Sequence, residues 1–378
     1  MVRIGNGKLD EINIDDVAIV EKTFLKMAPT MFKFSFDNEK EESLNLTRVH
    51  HLAEKMLATY YTIAKVVYMM IAVSGVPVNV VAIVILARGK CGLSSCTTRY
   101  LVAMAMADLL VIFTEVILLR VSYFYFPGSF LDITPVCCVT FSLSRSAKDC
   151  SVWFTLTFSF DRFVAICCHK LKTKYCNERN AYVVVVSTCI LLCLKNIPFY
   201  FAYEAKVIID NIPWYCYVKP SYFTETGWIG FDWFDTVLNP LFPFVLLLII
   251  NTLTVRYILV SSRVRKSLMG QSKGENCSDP EMESRRRSVI LLFSISGSFI
   301  LLWLTYVVYV FYYNISATNP SLSVYNTSYI LSKVGFMLVN LSCCTNTFIY
   351  VVTQSKFREQ FKNAIKHPLQ SIIRFINA

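Results

Sequence analysis

The chain has 378 residues, 55% of them hydrophobic and 17% charged, with a formal net charge of +11. That is too apolar and too sparsely charged for an ordinary soluble domain. Its length would suit two or three soluble domains of about 150 residues, but seven stretches are long and apolar enough to cross a bilayer core of ~30 Å, which takes about 20 residues of helix.

Residues 1–58 are polar and mixed in charge, and read as a largely disordered tail. Asp10, Glu11, Asp15 and Asp16 interrupt any apolar core there, so no secretory signal is visible and the first membrane helix is expected to do the targeting. The seven apolar stretches follow at about 59–87, 98–122, 134–168, 180–203, 229–262, 285–313 and 328–353. The expected fold is all-α, a seven-transmembrane-helix bundle over 59–354, with a short amphipathic helix and tail at 355–378. In that last segment Phe357 and Phe361 share a face, and Lys356, Arg358 and Lys362 suit anionic headgroups.

Loop charge sets the expected orientation, because short loops kept in the cytoplasm are rich in Lys and Arg. Arg88, Lys90 and Arg99 lie between the first and second stretches, and Lys170, Lys172, Lys174 and Arg179 between the third and fourth. Arg263, Arg265, Lys266, Lys273, Arg285, Arg286 and Arg287 lie between the fifth and sixth; Lys356, Arg358, Lys362, Lys366 and Arg374 follow the seventh. The opposite loops hold only Lys206 and Lys219. This places the N-terminus outside the plasma membrane and the C-terminus in the cytosol. Basic clusters abutting membrane helices argue against nucleic acid as a partner. The acceptor pattern Asn-x-Ser/Thr at Asn45, Asn314 and Asn326 falls on the expected outside; a fourth match, Asn340, falls inside a span.

The 14 cysteines are too scattered for a disulfide scaffold. Cys137, Cys138 and Cys216 lie near the oxidising face, and either Cys137 or Cys138 can reach Cys216.

Ionisable groups inside a membrane are costly and mark functional sites by default. The third stretch holds Ser144, Lys148 and Ser151 on one face, with Arg145 and Asp149 four apart and able to pair. The second adds Glu115 and Arg120, the fourth Lys195 and the fifth Asp235. So many charges cannot face lipid. They are expected to line a wet cavity open to the outside, with Trp303, Tyr306, Phe336 and Asn340 on its other walls. Lys148 and Arg145 would suit a carboxylate and Asp235 an amine, which points to a zwitterionic or peptide ligand with an aromatic group. The alternative is a set of salt bridges that neutralise one another and fix the bundle.

Motifs in six of the seven helices resemble the rhodopsin-like (class A) G-protein-coupled receptors: Asn79 in the first, Asp108 in the second, Asp161-Arg162-Phe163 closing the third, Pro243 in the fifth, Phe299 and Trp303 in the sixth, and Asn346-Thr347-Phe348-Ile349-Tyr350 in the seventh. The resemblance covers about 59–366. It implies an extracellular ligand, a heterotrimeric G protein as partner, and arrestin and receptor kinases as further partners. Asp161, Arg162, Phe163, Asn346 and Tyr350 are the coupling residues it implies; Arg120, Ser144, Arg145, Lys148, Asp149, Asp235, Trp303, Tyr306, Phe336 and Asn340 form the expected pocket. Asn79, Asp108, Ser151 and Asn346 form a polar centre in which an allosteric sodium ion, or a network without an ion, is expected; no other metal or cofactor is implied. Cys137 precedes Arg162 by 25 residues, about 37 Å of helix, which favours Cys137 over Cys138 as the thiol bridged to Cys216.

Several departures stand out. Thr305 and Thr347 replace two kink prolines; threonine bends a helix more gently, by bonding back to a carbonyl. Ser144 stands where aminergic members have aspartate, which disfavours an amine ligand of that kind. Within the family the nearest likeness is to orphan receptors that sense aromatic amino acids or peptides. The stretch Glu283-Ser284-Arg285-Arg286-Arg287 near the start of the sixth helix is basic except for Glu283, so a weakly restrained Arg162 and appreciable basal signalling are expected. Ser267, Ser272, Ser278 and Ser284 are candidate kinase sites. A transporter would show internal repeats and none is seen. An enzyme would need a site that His50, His51, His169 and His367 do not make. A receptor homologue impaired in signalling is the main alternative.

Overall fold

The computed structural model describes residues 39–89, 91–269, 280–318 and 325–364. The side chains of Asn45, Glu283, Ser267, Ser284, Asn314 and Asn326 lie outside the described ones, as do residues Lys90, Ser272, Cys277, Ser278, Lys366, His367 and Arg374 altogether. The chain divides into two compact units, Met1–Ala58 and Thr59–Ala378. In the first, residues 39–58 are helical. The tail expected to be largely disordered therefore has a helical end. No Gly or Pro interrupts the sequence between Glu39 and Ser74, and the run Glu39-Lys40-Glu41-Glu42 is made of strong helix formers.

Among the described residues, seven helices are long and apolar enough to cross a membrane. We number them α1 (Glu39–Ala87), α2 (Ser95–Tyr125), α3 (Thr134–Cys167), α4 (Glu178–Ala202), α5 (Thr226–Arg263), α6 (Pro280–Thr318) and α7 (Tyr325–Thr353). The ends of the membrane spans differ from those read in the sequence by three residues or fewer. Apolar side chains such as Met70, Met106, Leu191, Leu301 and Val352 remain exposed around the bundle. Exposed apolar surface on this scale suits lipid, not water. Polar and charged side chains point inward instead, among them Asn79, Asp108, Glu115, Asp149 and Asp161. The chain is thus a multi-pass membrane protein.

Three features were not foreseen. The second half of α2 is a π-helix over Ile112–Val121. α5 is broken at Val237–Leu241, where Asn239 has the extended angles φ −155 and ψ 113. The break lies at Pro240, three residues before the Pro243 singled out above; a proline removes a ladder donor and steers the residue before it out of the helical region. Between α4 and α5 lies an antiparallel hairpin, β1 (Tyr203–Ile209) and β2 (Ile212–Val218), turned by Asp210 and Asn211 at positive φ. Cys216 of β2 is bonded to Cys137 of α3, the favoured pairing. Thr134 donates to the carbonyl of Tyr215 at 3.0 Å, so β2 lies against the start of α3.

α6 and α7 are unbroken helices, with threonine at both places where the kink prolines were missed. The Thr347 hydroxyl is buried with no hydrogen-bond partner, so the gentle bend that back-bonding would give is not made there. Residues 355–364 form a further helix after α7, and its Phe357 packs edge-on to Tyr350 at 5.6 Å.

Candidate functional site

Two ionic clusters lie on adjacent faces of α3, about 100° apart and near its bridged end. In the first, Glu115 is almost fully buried and both its oxygens are used. Arg120 donates to Oε1 from Nε at 3.0 Å and from Nη2 at 2.6 Å. Ser144 donates to Oε2 at 2.6 Å and Lys148 at 3.3 Å. The π-turn of α2 makes this possible. Residues five apart diverge by about 140° on an α-helix, whereas a π-helix returns i and i+5 to one side. From α7, Phe336 turns its ring toward both cations, 5.9 Å from Arg120 and 5.7 Å from Lys148. Tyr306 of α6 packs on that ring at 5.0 Å.

In the second cluster Arg145 does not pair with Asp149, the partner its spacing allowed. It donates to Asp235 of α5 at 3.2 Å and lies 3.9 Å from the Phe199 ring. Asp149 is already saturated: Lys195 of α4 contacts it at 2.6 Å, Asn196 donates to it at 2.7 Å, and Asn239 donates to its other oxygen. Lys195 also contacts Asp235. The break at Pro240 brings Asn239 to this point. Asp235, expected to be open to an amine, is held by Lys195 and Arg145.

Below the first cluster lies the polar centre. Ser151 donates to Asp108 at 2.5 Å and Asn346 to its second oxygen at 2.8 Å. A cavity of about 10 Å³ adjoins them, lined by Ser151, Thr155, Ser298, Phe299, Ser342, Thr345 and Asn346. Asn79 is not part of that contact. Its amide donates to the carbonyls of Gly75 and Cys343 at 3.0 Å, tying α1 to α7. Trp303 stacks on Phe299 at 5.0 Å and donates to Ser342 at 3.2 Å. Asn340 is buried and donates to the Phe336 carbonyl at 2.9 Å.

At the opposite end of α3, Arg162 donates from Nε to Asp161 at 3.0 Å, and its Nη2 contacts the same oxygen. Both side chains are buried, so Arg162 does not merely snorkel to the surface. The thiol of Cys96 donates to the other Asp161 oxygen at 3.1 Å, and that of Cys176 to the Asp161 carbonyl at 3.6 Å. Burial first, and then the Asp161 charge, push the Cys176 thiol up to about 12. Phe163 is half-buried and packs against the apolar cluster that α3, α5, α6 and α7 share. Tyr350 is fully buried with its hydroxyl unpartnered.

Sequence reading counted Glu115 and Lys195 among the charges lining the cavity but gave neither a named part in the pocket. It passed over Asn196, Asn239 and Cys96. Neutral side chains give no signal until an acid is placed beside them.

The chain has relatives of modest identity. It is 24% identical to the FMRFamide receptor of Drosophila melanogaster over 77% of this chain, which spans only about half of that receptor, 51% of its length. It is 22% identical to the cysteinyl leukotriene receptor 1 of Homo sapiens over 72% of this chain and 76% of that one. It is 24% identical to the growth hormone secretagogue receptor type 1 of Homo sapiens over 76% of both. Residues 78–350 match the family described as 7 transmembrane receptor (rhodopsin family). With seven membrane-length helices, a motif residue at the expected place in six of them and a match across most of its length, the chain belongs to the rhodopsin family of seven-transmembrane receptors and is a signalling receptor rather than an enzyme.

Proposed function

We propose that the chain sits in the plasma membrane with its N-terminus outside, binds an extracellular ligand in the charged cup, and activates a heterotrimeric G protein through movement of α6. The cup comprises Arg120, Ser144, Arg145, Lys148, Asp149, Asp235, Trp303, Tyr306, Phe336 and Asn340. The ligand is a peptide or a small aromatic molecule, as the relatives' names suggest in part. One observation carries the reading: α3 bears the charged clusters toward one end and the buried Asp161–Arg162 pair toward the other. On activation Arg162 leaves Asp161 and meets the G protein, with Phe163, Asn346 and Tyr350 beside it. Arrestin and receptor kinases would act on the same face afterwards. Glycans are proposed at Asn45, Asn314 and Asn326. A sodium ion in the resting state is proposed beside Asp108, Ser151 and Asn346, whose oxygens suit a hard cation.

The test is nucleotide exchange on a purified G protein, with the full chain in membranes. Basal exchange above that of empty membranes is expected, and Arg162→Ala should abolish it at equal surface expression. No exchange with any G-protein subtype, with or without ligand, would refute the reading. It would favour instead a receptor impaired in signalling, to which the missing prolines and the unbroken α6 and α7 point. Agonist affinity indifferent to sodium would remove the ion.

A further inference from the structure

The two clusters link seven ionised side chains. Arg120, Arg145, Lys148 and Lys195 stand against Glu115, Asp149 and Asp235, leaving one positive charge in excess. That excess has a place. Asp149 and Asp235 share Lys195 and Arg145, two acids for two bases, whereas Glu115 alone faces both Arg120 and Lys148. The layering is as telling as the count. The side chains of Arg120, Lys148 and Arg145 keep 31%, 18% and 34% of their surface accessible, but Glu115 and Asp149 keep 3% and 7%. In the first cluster the acid lies beneath and its two bases are presented above, whereas in the second Lys195, at 8%, is as buried as Asp149. Arg120, Lys148 and Arg145 are thus mostly enclosed by protein while still reachable.

We propose that the ligand carries a carboxylate beside an aromatic ring, with the carboxylate seated between Arg120 and Lys148 and the ring against Phe336 and Tyr306. This rests on the cup being the ligand site, as proposed above, and narrows the zwitterion suggested by the sequence to its anionic half. The donors are in place. Arg120 spends Nε and Nη2 on Glu115 and Lys148 one of its three N–H groups, so Nη1 and two ammonium protons remain for a ligand. A guanidinium and an ammonium side by side in a recess repel each other until a second anion joins them. Phe336 and Tyr306, 5.0 Å apart, give an aromatic ring its packing surface next to that anion. An amine finds no such opening, because Asp149 and Asp235 are covered by Lys195, Arg145, Asn196 and Asn239.

The test uses the full chain in lipid nanodiscs and follows its unfolding midpoint in millimolar 3-phenylpropionate, 3-phenylpropanamide or 2-phenylethylamine. A tetrapeptide ending in phenylalanine, as free acid and as amide, separates a small acid from a peptide carboxyl terminus. At tenfold excess over its dissociation constant, at least one acid should raise the midpoint by about 3 °C. The amides and the amine should not. Lys148→Gln should weaken the acid about tenfold or more, and Lys148→Arg should retain it. Glu115→Gln, which removes the buried counter-charge, should tighten it, a gain that mere damage to the fold does not produce. The proposal is overturned if the amine stabilises as well as the acids do, if no acid shifts the midpoint, or if Lys148→Gln and Arg120→Gln both leave the acid's effect unchanged. No G protein is present, so a receptor that binds without signalling still passes, and the two readings fail separately.

Discussion

Replacing Lys195 by methionine tests whether the second cluster is a structural tie between α3, α4 and α5. The Lys195 side chain is 8% accessible, contacts Asp149 at 2.6 Å and also touches Asp235. Methionine nearly matches its stem but carries no charge. Removing one member of a buried ion pair costs about 3–5 kcal/mol, because the partner charge is left behind. Here Asp149 keeps the Asn196 and Asn239 amides, and Asp235 keeps Arg145. Each hydrogen bond to a charged group is worth about 1.5–3 kcal/mol, which holds the loss near the lower end, at about 3 kcal/mol. At about 2 °C per kcal/mol for a chain of this size, the unfolding midpoint in nanodiscs should fall by roughly 6 °C. Adding Asp149→Asn removes the stranded charge, so the double variant should recover about half of that loss, a coupling that a double-mutant cycle reads directly. A double variant whose loss equals the sum of the two single losses would refute the reasoning. So would an unchanged midpoint in Lys195→Met, since the tie would then contribute nothing.

Gly335 of α7 faces α6 so closely that an added Cβ would lie 3.0 Å from Tyr306 Cα and 3.1 Å from its nitrogen. Gly335→Ala should cost about 1–3 kcal/mol, and Gly335→Val should abolish surface expression, measured by flow cytometry. Cys138 has its sulfur 3.7 Å from that of Cys216. Cys137→Ser should therefore re-form a bridge through Cys138, Cys138→Ser should keep the first bridge, and only the double variant should lose both, as peptide mapping by mass spectrometry will show. With its pKa pushed up to about 12, Cys176 is thiolate in only about one molecule in ten thousand at pH 8, and its alkylation should rise about tenfold per pH unit. A profile that levels off by pH 10, as that of an ordinary thiol of pKa about 8.5 does, would show the thiol is not buried as described.

The helices were legible because each needs one property, a run of apolar residues long enough to span lipid, and composition carries that property intact. The motif residues were legible for a different reason: each lies at a fixed offset within a helix already placed. What stayed hidden depends on backbone irregularity. Glu115 and Arg120, five residues apart, would diverge on an α-helix, and their pairing rests on the π-turn of α2, which the sequence does not announce. Arg145 and Asp149, four apart, read as a pair, but neighbouring helices offered each a better partner. The i, i+4 rule knows one helix, whereas the observed pairs span three. The hairpin β1–β2 is short, and its apolar Val207, Ile208, Ile209 and Ile212 do not alternate cleanly with polar residues, so period-two reasoning passed it over.

The distribution of charge also bears on which helix moves. α3 holds charged partners on two faces, Glu115 through Ser144 and Lys148, and Asp235 through Arg145, with Lys195 on Asp149 besides. Turning α3 by one residue, about 100°, would break all of these at once, so it is pinned. α6 differs at the level of sequence: from Ser288 to Asn314 it has no Asp, Glu, Lys, Arg or His, and cannot make an ion pair in the membrane. Its ties are neutral, such as Ser296 to Asn251 at 3.0 Å and Trp303 to Ser342 at 3.2 Å, each worth about 1 kcal/mol. A bundle so divided yields at α6 before α3. Spin labels on the inner ends of α3 and α6 should therefore separate on activation, while labels on α3 and α4 keep their distance. An α3–α4 distance that changes as much as the α3–α6 distance would mean that the buried charges do not set the order of motion.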